Sequence, residues 1–319
     1  MPLRIGLPEL EQAARAVYAG MLPTPQYAWP LLAQRSGREV WVKHENHTPI
    51  GAFKVRGGLH LVAQLASTRG ATAGIISATR GNHGQSLAFA ARRHGMRCVI
   101  VVPRGNSSDK NAAMRAFGAE LIEFGRDFDE AREHAGTLAE QHGLRFVGPF
   151  SAELVAGVGT YALELFRAVS DIDTVYVPIG CGSGICGLIS ARDALALRTD
   201  IVGVVSSHAN AYAQSFAHGR PIETDNALTI ADGMAVRVPV PAALDVIRRG
   251  AARIVEVTDD EVREAMRIYF SDTHQVAEGA GAAPLAAMLK EGARAGDRCA
   301  LILSGGNVDR ALYGEVLAP

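Results

Sequence analysis

Short runs of β-branched and aliphatic residues alternate with helical patterns along almost the whole chain, and this alternation is what most limits the fold. The strand runs are "EVWVK" (39–43), "AGIIS" (73–77), "RCVIVV" (97–102), "AELIEF" (119–124), "TVYVPI" (174–179), "DIVGVV" (200–205), "ARIVEV" (252–257) and "CALIL" (299–303). Helical stretches such as "DFDEAREHAGTLAEQHG" and "TDDEVREAMRIYF" separate most of them. The second opens on Thr258 with Glu261 three residues on, the spacing of a capping box. Strand–helix alternation specifies parallel sheets with helices on both faces, an α/β fold. Such sheets build ligand sites at the carboxyl ends of their strands.

Three glycine-rich turns fall at such ends. In "SATRGNHGQS" (77–86), Gly81 and Gly84 permit a tight backbone, while Thr79, Asn82, His83 and Gln85 gather polar groups. The turn reads equally as a helix start whose Asn and Thr satisfy local backbone. In "VPIGCGSGICG" (177–187), Gly180, Gly182 and Gly184 follow an apolar strand and precede a helix, an arrangement that cradles a phosphate with bare N–H groups and the helix dipole. Gly182, Gly184 and Gly187 also spell G-x-G-x-x-G, but the nearest acid, Asp200, precedes the next strand instead of following it, which argues against a dinucleotide. In "LILSGGNVDR" (301–310), Ser304 either caps the next helix or faces a bound ring.

"GAFKVRGG" (51–58) adds a reactive group. Of 32 basic residues only Lys43, Lys54, Lys110 and Lys290 are lysines. Arginine stays protonated, whereas a desolvated lysine can act as an amine nucleophile. Lys54 is therefore either an amphipathic side chain snorkelling to water or the amine of a site. Together with a phosphate cradle and a strand-end hydroxyl, the amine fits pyridoxal 5'-phosphate.

A net charge of −1 gives no electrostatic case for nucleic acid or an anionic membrane. No apolar run reaches 18 residues and no signal-type segment opens the chain, so a cytoplasmic enzyme is expected. Cys98, Cys181, Cys186 and Cys299 form no C-x-x-C and read as reduced thiols. His44 and His47 lie three apart with no third ligand in view.

In order, "GAFKVRGG", "SATRGNHGQ", "VPIGCGSGICG", "TIADGMAV", "AEGAGAAPLAA" and "LSGGNVD" resemble the motifs of the serine/threonine dehydratase and serine racemase family, from about Leu22 to about Asp309. The resemblance implies a tryptophan synthase β-like architecture, pyridoxal phosphate fold type II. Two open, twisted, mostly parallel sheets would be flanked by helices. A large cofactor domain (1–73 plus 151–319) would carry an inserted small domain (74–150), with no regulatory domain. It implies Lys54 as the Schiff-base lysine, Phe53 packing near the cofactor, and Asn82 on the ring's phenolic oxygen. Gly180, Cys181, Gly182, Ser183 and Gly184 would form the phosphate loop, and Ser304 would meet the pyridine nitrogen. Gly233 and Glu278 would line the cofactor's other side. Thr79, Arg80, Gly81, Asn82 and His83 would receive the substrate.

The implied reaction is dehydration and deamination of a β-hydroxy-α-amino acid to a 2-oxo acid and ammonia. Threonine or serine is the expected substrate, with phenylserine or hydroxyaspartate as wider possibilities, and a homodimer or higher homo-oligomer is expected. Two positions depart from the family. Arg80 stands where the racemase and some dehydratases carry a small hydroxyl residue; a guanidinium is a poor acid, which disfavours racemisation. Arg80 either binds a carboxylate or a β-substituent, or is a solvated charge. Val205 and Ala211 replace the family's metal carboxylates, so no divalent cation is expected there. The alternatives are racemisation or β-replacement, and a non-catalytic binding protein on the same fold.

Overall fold

The computed structural model describes residues 3–68 and 73–318. Residues 1, 2, 69–72 and 319, and with them the outer limits of the expected domain ranges, lie outside it. Among the described residues the strands are β1 (Gln26–Ala28), β2 (Glu39–His44), β3 (Ile75–Ala78), β4 (Cys98–Val102), β5 (Glu120–Glu123), β6 (Arg145–Phe146), β7 (Thr174–Pro178), β8 (Asp200–Ser206), β9 (Arg253–Val257) and β10 (Arg298–Leu303). They form one six-stranded sheet, in the order β1-β2-β10-β7-β8-β9, and one four-stranded sheet, in the order β5-β4-β3-β6. Only β1 runs antiparallel, against β2; every other pairing is parallel. The eight expected strands are all present. β1 and β6 are additional and short. The helix Asp259–Thr273 begins with the capping box: the Glu261 N–H donates to Thr258 Oγ1 at 3.2 Å, and the Thr258 N–H donates to Glu261 Oε2 at 2.8 Å. No described helix is long and apolar enough to cross a membrane.

Strand order explains where a site can form. β10 lies between β2 and β7, with Cys299 in register with both Val40 and Thr174. Three parallel strands therefore end side by side. The chain leaving β2 leads to Lys54, that leaving β10 leads to Ser304, and that leaving β7 leads to Gly180. The fourth segment, 79–84, leaves β3 of the smaller sheet.

The helix Lys54–Ser67 joins the two sheets. Val55, Leu59 and Val62 pack with Ile75, Leu87 and Ile100 in the core of the four-stranded sheet. Gly58 lets this helix approach the helix Asn82–Arg93 closely, since a Cβ at residue 58 would stand 2.2 Å from Ser86 Oγ. At the same helix's start, Arg56 turns the other way and is wholly buried. Its guanidinium donates to Glu45 Oε2 at 2.7 Å and to Glu164 at 2.6 and 2.9 Å, and it also reaches Thr160 and Thr24. Lys43, also wholly buried, donates to Glu164 Oε2 at 2.6 Å and to the Thr24 carbonyl at 2.6 Å. Burial opposes the charges of Lys43, Arg56 and Glu164, but Arg56 and Lys43 hold the Glu164 carboxyl below its usual range.

Two acids and two bases cancel, and each polar head has partners. Removing one member leaves a buried charge uncompensated, which costs more than the pair contributes. Arg56→Met is expected to lower the unfolding free energy by about 3–5 kcal/mol, read from the urea midpoint at constant m-value. A loss under about 1 kcal/mol would place the cluster among interactions worth no more than exposed ion pairs.

Candidate active site

Lys54 is the first residue of its helix, and its amine faces the turn after β7: Nζ donates to Ser183 Oγ at 3.2 Å. Burial pushes the amine below the usual lysine range, with the Cys181 thiol acting in the opposite sense. The preceding ring, Phe53, lies edge-on to Tyr161 and has Lys54 Nζ 5.2 Å from its centroid.

The turn 180–184 has the carbonyls of Cys181, Gly182 and Gly184 tied back. Tyr212 Oη donates to the Cys181 carbonyl at 3.2 Å and accepts from the Val240 N–H at 3.0 Å. Tyr161 Oη donates to the Gly184 carbonyl at 2.9 Å. None of the N–H groups from Gly180 to Gly184 meets a carbonyl among the described residues. The helix Ser183–Ala194 begins here and adds its dipole. A Cβ at residue 180 would lie 2.1 Å from the Gly233 carbonyl, so the turn admits only glycine there. Bare donors at a helix start, with an amine 3.2 Å from the same turn, are the donor set that a phosphorylated aldehyde requires.

The turn after β3 divides between local and distant partners. Thr79 Oγ1 accepts from the Gly81 N–H at 3.1 Å, a local bond of the kind a plain helix start makes. Asn82 is different. Its Nδ2 donates to both Glu278 oxygens at 2.9 and 3.1 Å, and its Oδ1 accepts from Asn307 Nδ2 at 2.8 Å. The imidazole of His83 is buried against the Val147 carbonyl at 3.5 Å, and burial, reinforced by Lys54, pushes its pKa down to about 3. His83 is therefore neutral, and what it offers an anion is its main-chain N–H. The first-turn N–H groups of Asn82, His83 and Gly84 have no intrahelical acceptor.

Ser304 is buried, and its carbonyl accepts from the Phe53 N–H at 2.9 Å. It does not cap the following helix, which begins at Arg310 behind Asp309. Gly233 lies in the short 3-10 turn Asp232–Met234, and Glu278 immediately precedes the helix Gly279–Glu291. Arg80 is exposed, and with Leu228, Thr229, Ile230, Asp232 and Asp259 it borders a hollow of about 270 Å³. Val205 and Ala211 are buried and apolar. His44 and His47 stack with centroids 5.0 Å apart, and His44 Nε2 accepts from Trp29 Nε1.

Sequence reasoning passed over Asn307, Tyr212 and the Lys110–Asp232 ion pair (2.7 Å) at this cleft. An amide placed directly after two glycines at a strand end is the signal that could have marked Asn307. Nothing in the sequence marks Tyr212.

Burial raises the Glu278 carboxyl to about 7; Asn82, Lys110 and the Asn307 N–H pull the other way, and Asp232 adds to the rise. The folded chain thus keeps a proton here that the unfolded chain releases near its ordinary 4.5. The stability this proton contributes is complete below that ordinary value and is lost as pH rises through the folded one. Glu278→Gln in the cofactor-free chain should gain stability relative to wild type between pH 5 and about 8. Parallel urea titrations check this, and identical pH slopes would contradict it.

Comparison with known proteins accords with this geometry. The model of the pyridoxal-phosphate dependent enzyme family matches residues 17–305. The L-threonine ammonia-lyase of Thermotoga maritima is 32% identical over 314 residues, 98% of this chain and 78% of that protein. The biosynthetic L-threonine dehydratase of Pasteurella multocida is 33% identical over 92% of this chain, which spans only 58% of that longer protein. Among solved structures, a threonine deaminase from the organism abbreviated T.th. superposes with a TM-score of 0.90 at 33% identity, covering 96% of this chain and 99% of that one. Maize serine racemase gives 0.91 at 26% identity, covering 97% and 96%. With a matched family model over nine-tenths of its length and a lysine set against a phosphate-type cradle, the chain belongs to the pyridoxal-phosphate dependent enzymes of fold type II, alongside the serine/threonine dehydratases and serine racemases.

Proposed function

We propose that the protein is an ammonia-lyase that converts a β-hydroxy-α-amino acid into a 2-oxo acid and ammonia. The observation that carries this reading is the Lys54 amine, desolvated and 3.2 Å from Ser183 in the bare-donor turn. Threonine ammonia-lyase and threonine deaminase are the names of relatives that align along nearly the whole chain.

Pyridoxal phosphate, when bound, supplies an aldehyde for the substrate amine and a ring that accepts the electron pair left at Cα. This chain's residues do the rest. The N–H groups of 180–184, including those of Cys181 and Ser183, would hold the phosphate. Phe53 would pack near the ring, with Gly233 and Glu278 along its other side. Asn82 would donate to the phenolic oxygen. The Ser304 hydroxyl would meet the pyridine nitrogen without the charge of a carboxylate, which would leave the ring a milder electron sink and suit prompt loss of the β-hydroxyl. Thr79, Gly81 and the first-turn N–H groups of Asn82 and His83 receive the substrate carboxylate. Lys54, its ammonium form disfavoured by burial, takes the Cα proton at Nζ.

Threonine or serine is the substrate class this reading starts from. A bulkier or acidic β-substituent would depend on Arg80, which borders a hollow that also carries Asp232 and Asp259. Racemisation needs an acid on the opposite face, and Arg80 is a poor one. Activity without a divalent cation at the Val205/Ala211 position, a homo-oligomeric state and a cytoplasmic location complete the reading.

Borohydride reduction of the yellow holoenzyme should fix the cofactor to the peptide that contains Lys54, and 3-hydroxy amino acids should yield 2-oxo acids. A label on Lys43, Lys110 or Lys290, or consumption of the amino acid without 2-oxo acid, would sink the reading. Arg80→Ser should lower kcat/KM on the preferred substrate by about tenfold and leave poorer substrates unchanged. Uniform kinetics across the panel would return Arg80 to a solvated charge.

A further inference from the structure

Asn307 joins three segments that meet at the cleft. Its Nδ2 donates to the Ile50 carbonyl at 2.8 Å, in the loop before Lys54, and to Asn82 Oδ1 at 2.8 Å, at the start of the helix Asn82–Arg93. The chain of bonds continues from Asn82 Nδ2 to the Glu278 carboxyl. The Ile50 end of this chain fixes its direction. A main-chain carbonyl can only accept, so the nitrogen of Asn307 must face Ile50. The oxygen of Asn82 must then face Asn307, and its nitrogen faces Glu278. Turning over either amide would set oxygen against oxygen or nitrogen against nitrogen. The orientation of an amide, commonly left open by shape alone, is here dictated by chemistry.

The loop is built around this amide. Gly51 has φ +69°, and a Cβ there would stand 2.7 Å from Asn307 Oδ1. The Gly306 N–H donates to the Gly51 carbonyl at 2.9 Å and closes the same loop. Asn82 Nδ2 carries two hydrogens, and one shared between the Glu278 oxygens leaves the other free.

We propose that Asn307 is a positioning residue: it holds the Asn82 amide so that a donor, and never an acceptor, is presented to the cofactor's phenolic oxygen. The inference rests on the reading of Asn82 as the partner of that oxygen.

Asn307→Asp keeps the shape and replaces both donated bonds by acceptors. Asn82 must then turn its nitrogen toward residue 307 and its oxygen toward Glu278 and the ring. The cofactor-stripped variant should bind pyridoxal phosphate about tenfold or more weakly. Its holo form should lose visible absorption in favour of the near-ultraviolet band. At pH above about 8, where the Glu278 carboxyl is ionised, adding Glu278→Gln supplies a donor to the reversed Asn82 oxygen, so N307D/E278Q should recover thermal stability there but neither affinity nor spectrum. Asn307→Ala, which removes the donor without adding charge, should fall between wild type and N307D. A wild-type affinity and spectrum in folded N307D, their recovery in the double variant, or equal loss in N307A and N307D would each overturn the proposal. Asn82→Ala separates the two layers: if it leaves the spectrum unchanged, the underlying reading of Asn82 fails. If it alters the spectrum and N307D does not, only the role of Asn307 fails.

Discussion

The guanidinium of Arg56, enclosed with Glu45, Glu164 and Lys43, is the interaction on which the geometry of the cleft depends. It sits two residues beyond Lys54, on a helix whose apolar face belongs to the core of the smaller sheet. The helix also packs closely on the helix Ala152–Val158, where a Cβ at residue 157 would stand 2.5 Å from the Arg56 carbonyl. With Arg56, the first turn is fastened to β2 through Lys43 and Glu45 and to the helix Thr160–Ala168 through Glu164. A hydrophobic contact would fasten it as firmly but with less direction. Planar, multiply bonded ionic contacts specify one rotation of the helix and hence one direction for the lysine.

Parallel topology supplies the remaining geometry. β2, β10 and β7 are neighbours that point the same way, so the segments after them converge without any long loop having to fold back. The smaller sheet adds the turn after β3. Three helices start at this cleft, at Lys54, Asn82 and Ser183. Their positive dipole ends favour anions and disfavour a protonated amine. The same field thus favours a phosphate, a substrate carboxylate and an uncharged Lys54.

Much of this could be read in the chain. Strands buried on both faces leave unbroken apolar runs, which is why β3, β4, β7 and β8 stood out. β1 and β6 did not, because three and two residues, largely exposed, carry no such pattern. Lys54 was visible because lysine is scarce here, and the cradle because its glycines alternate at a strand end. Partnerships were not visible. Asn82 meets Glu278 across 196 residues and Asn307 across 225, and no periodicity links positions that far apart. Burial is similarly hidden: His83 reads as a polar turn residue, yet its ring is packed away and only its backbone is offered. Ser304 reads in the sequence either as a cap or as a ring contact, and the helix start at Arg310 removes the cap.

The close contact at Gly58 has a mechanical consequence. Ser86 Oγ donates to the Lys54 carbonyl at 2.6 Å, a short distance from where Gly58 meets the same serine. The main chain of the reactive lysine is thereby riveted to a helix of the smaller sheet, while Arg56 rivets the next residues to the larger. A motion between the sheets that displaced this point would have to break one rivet. An opening that keeps both rivets leaves the lysine at its axis, as a door leaves its post, so that the mouth would move and the amine would stay in place.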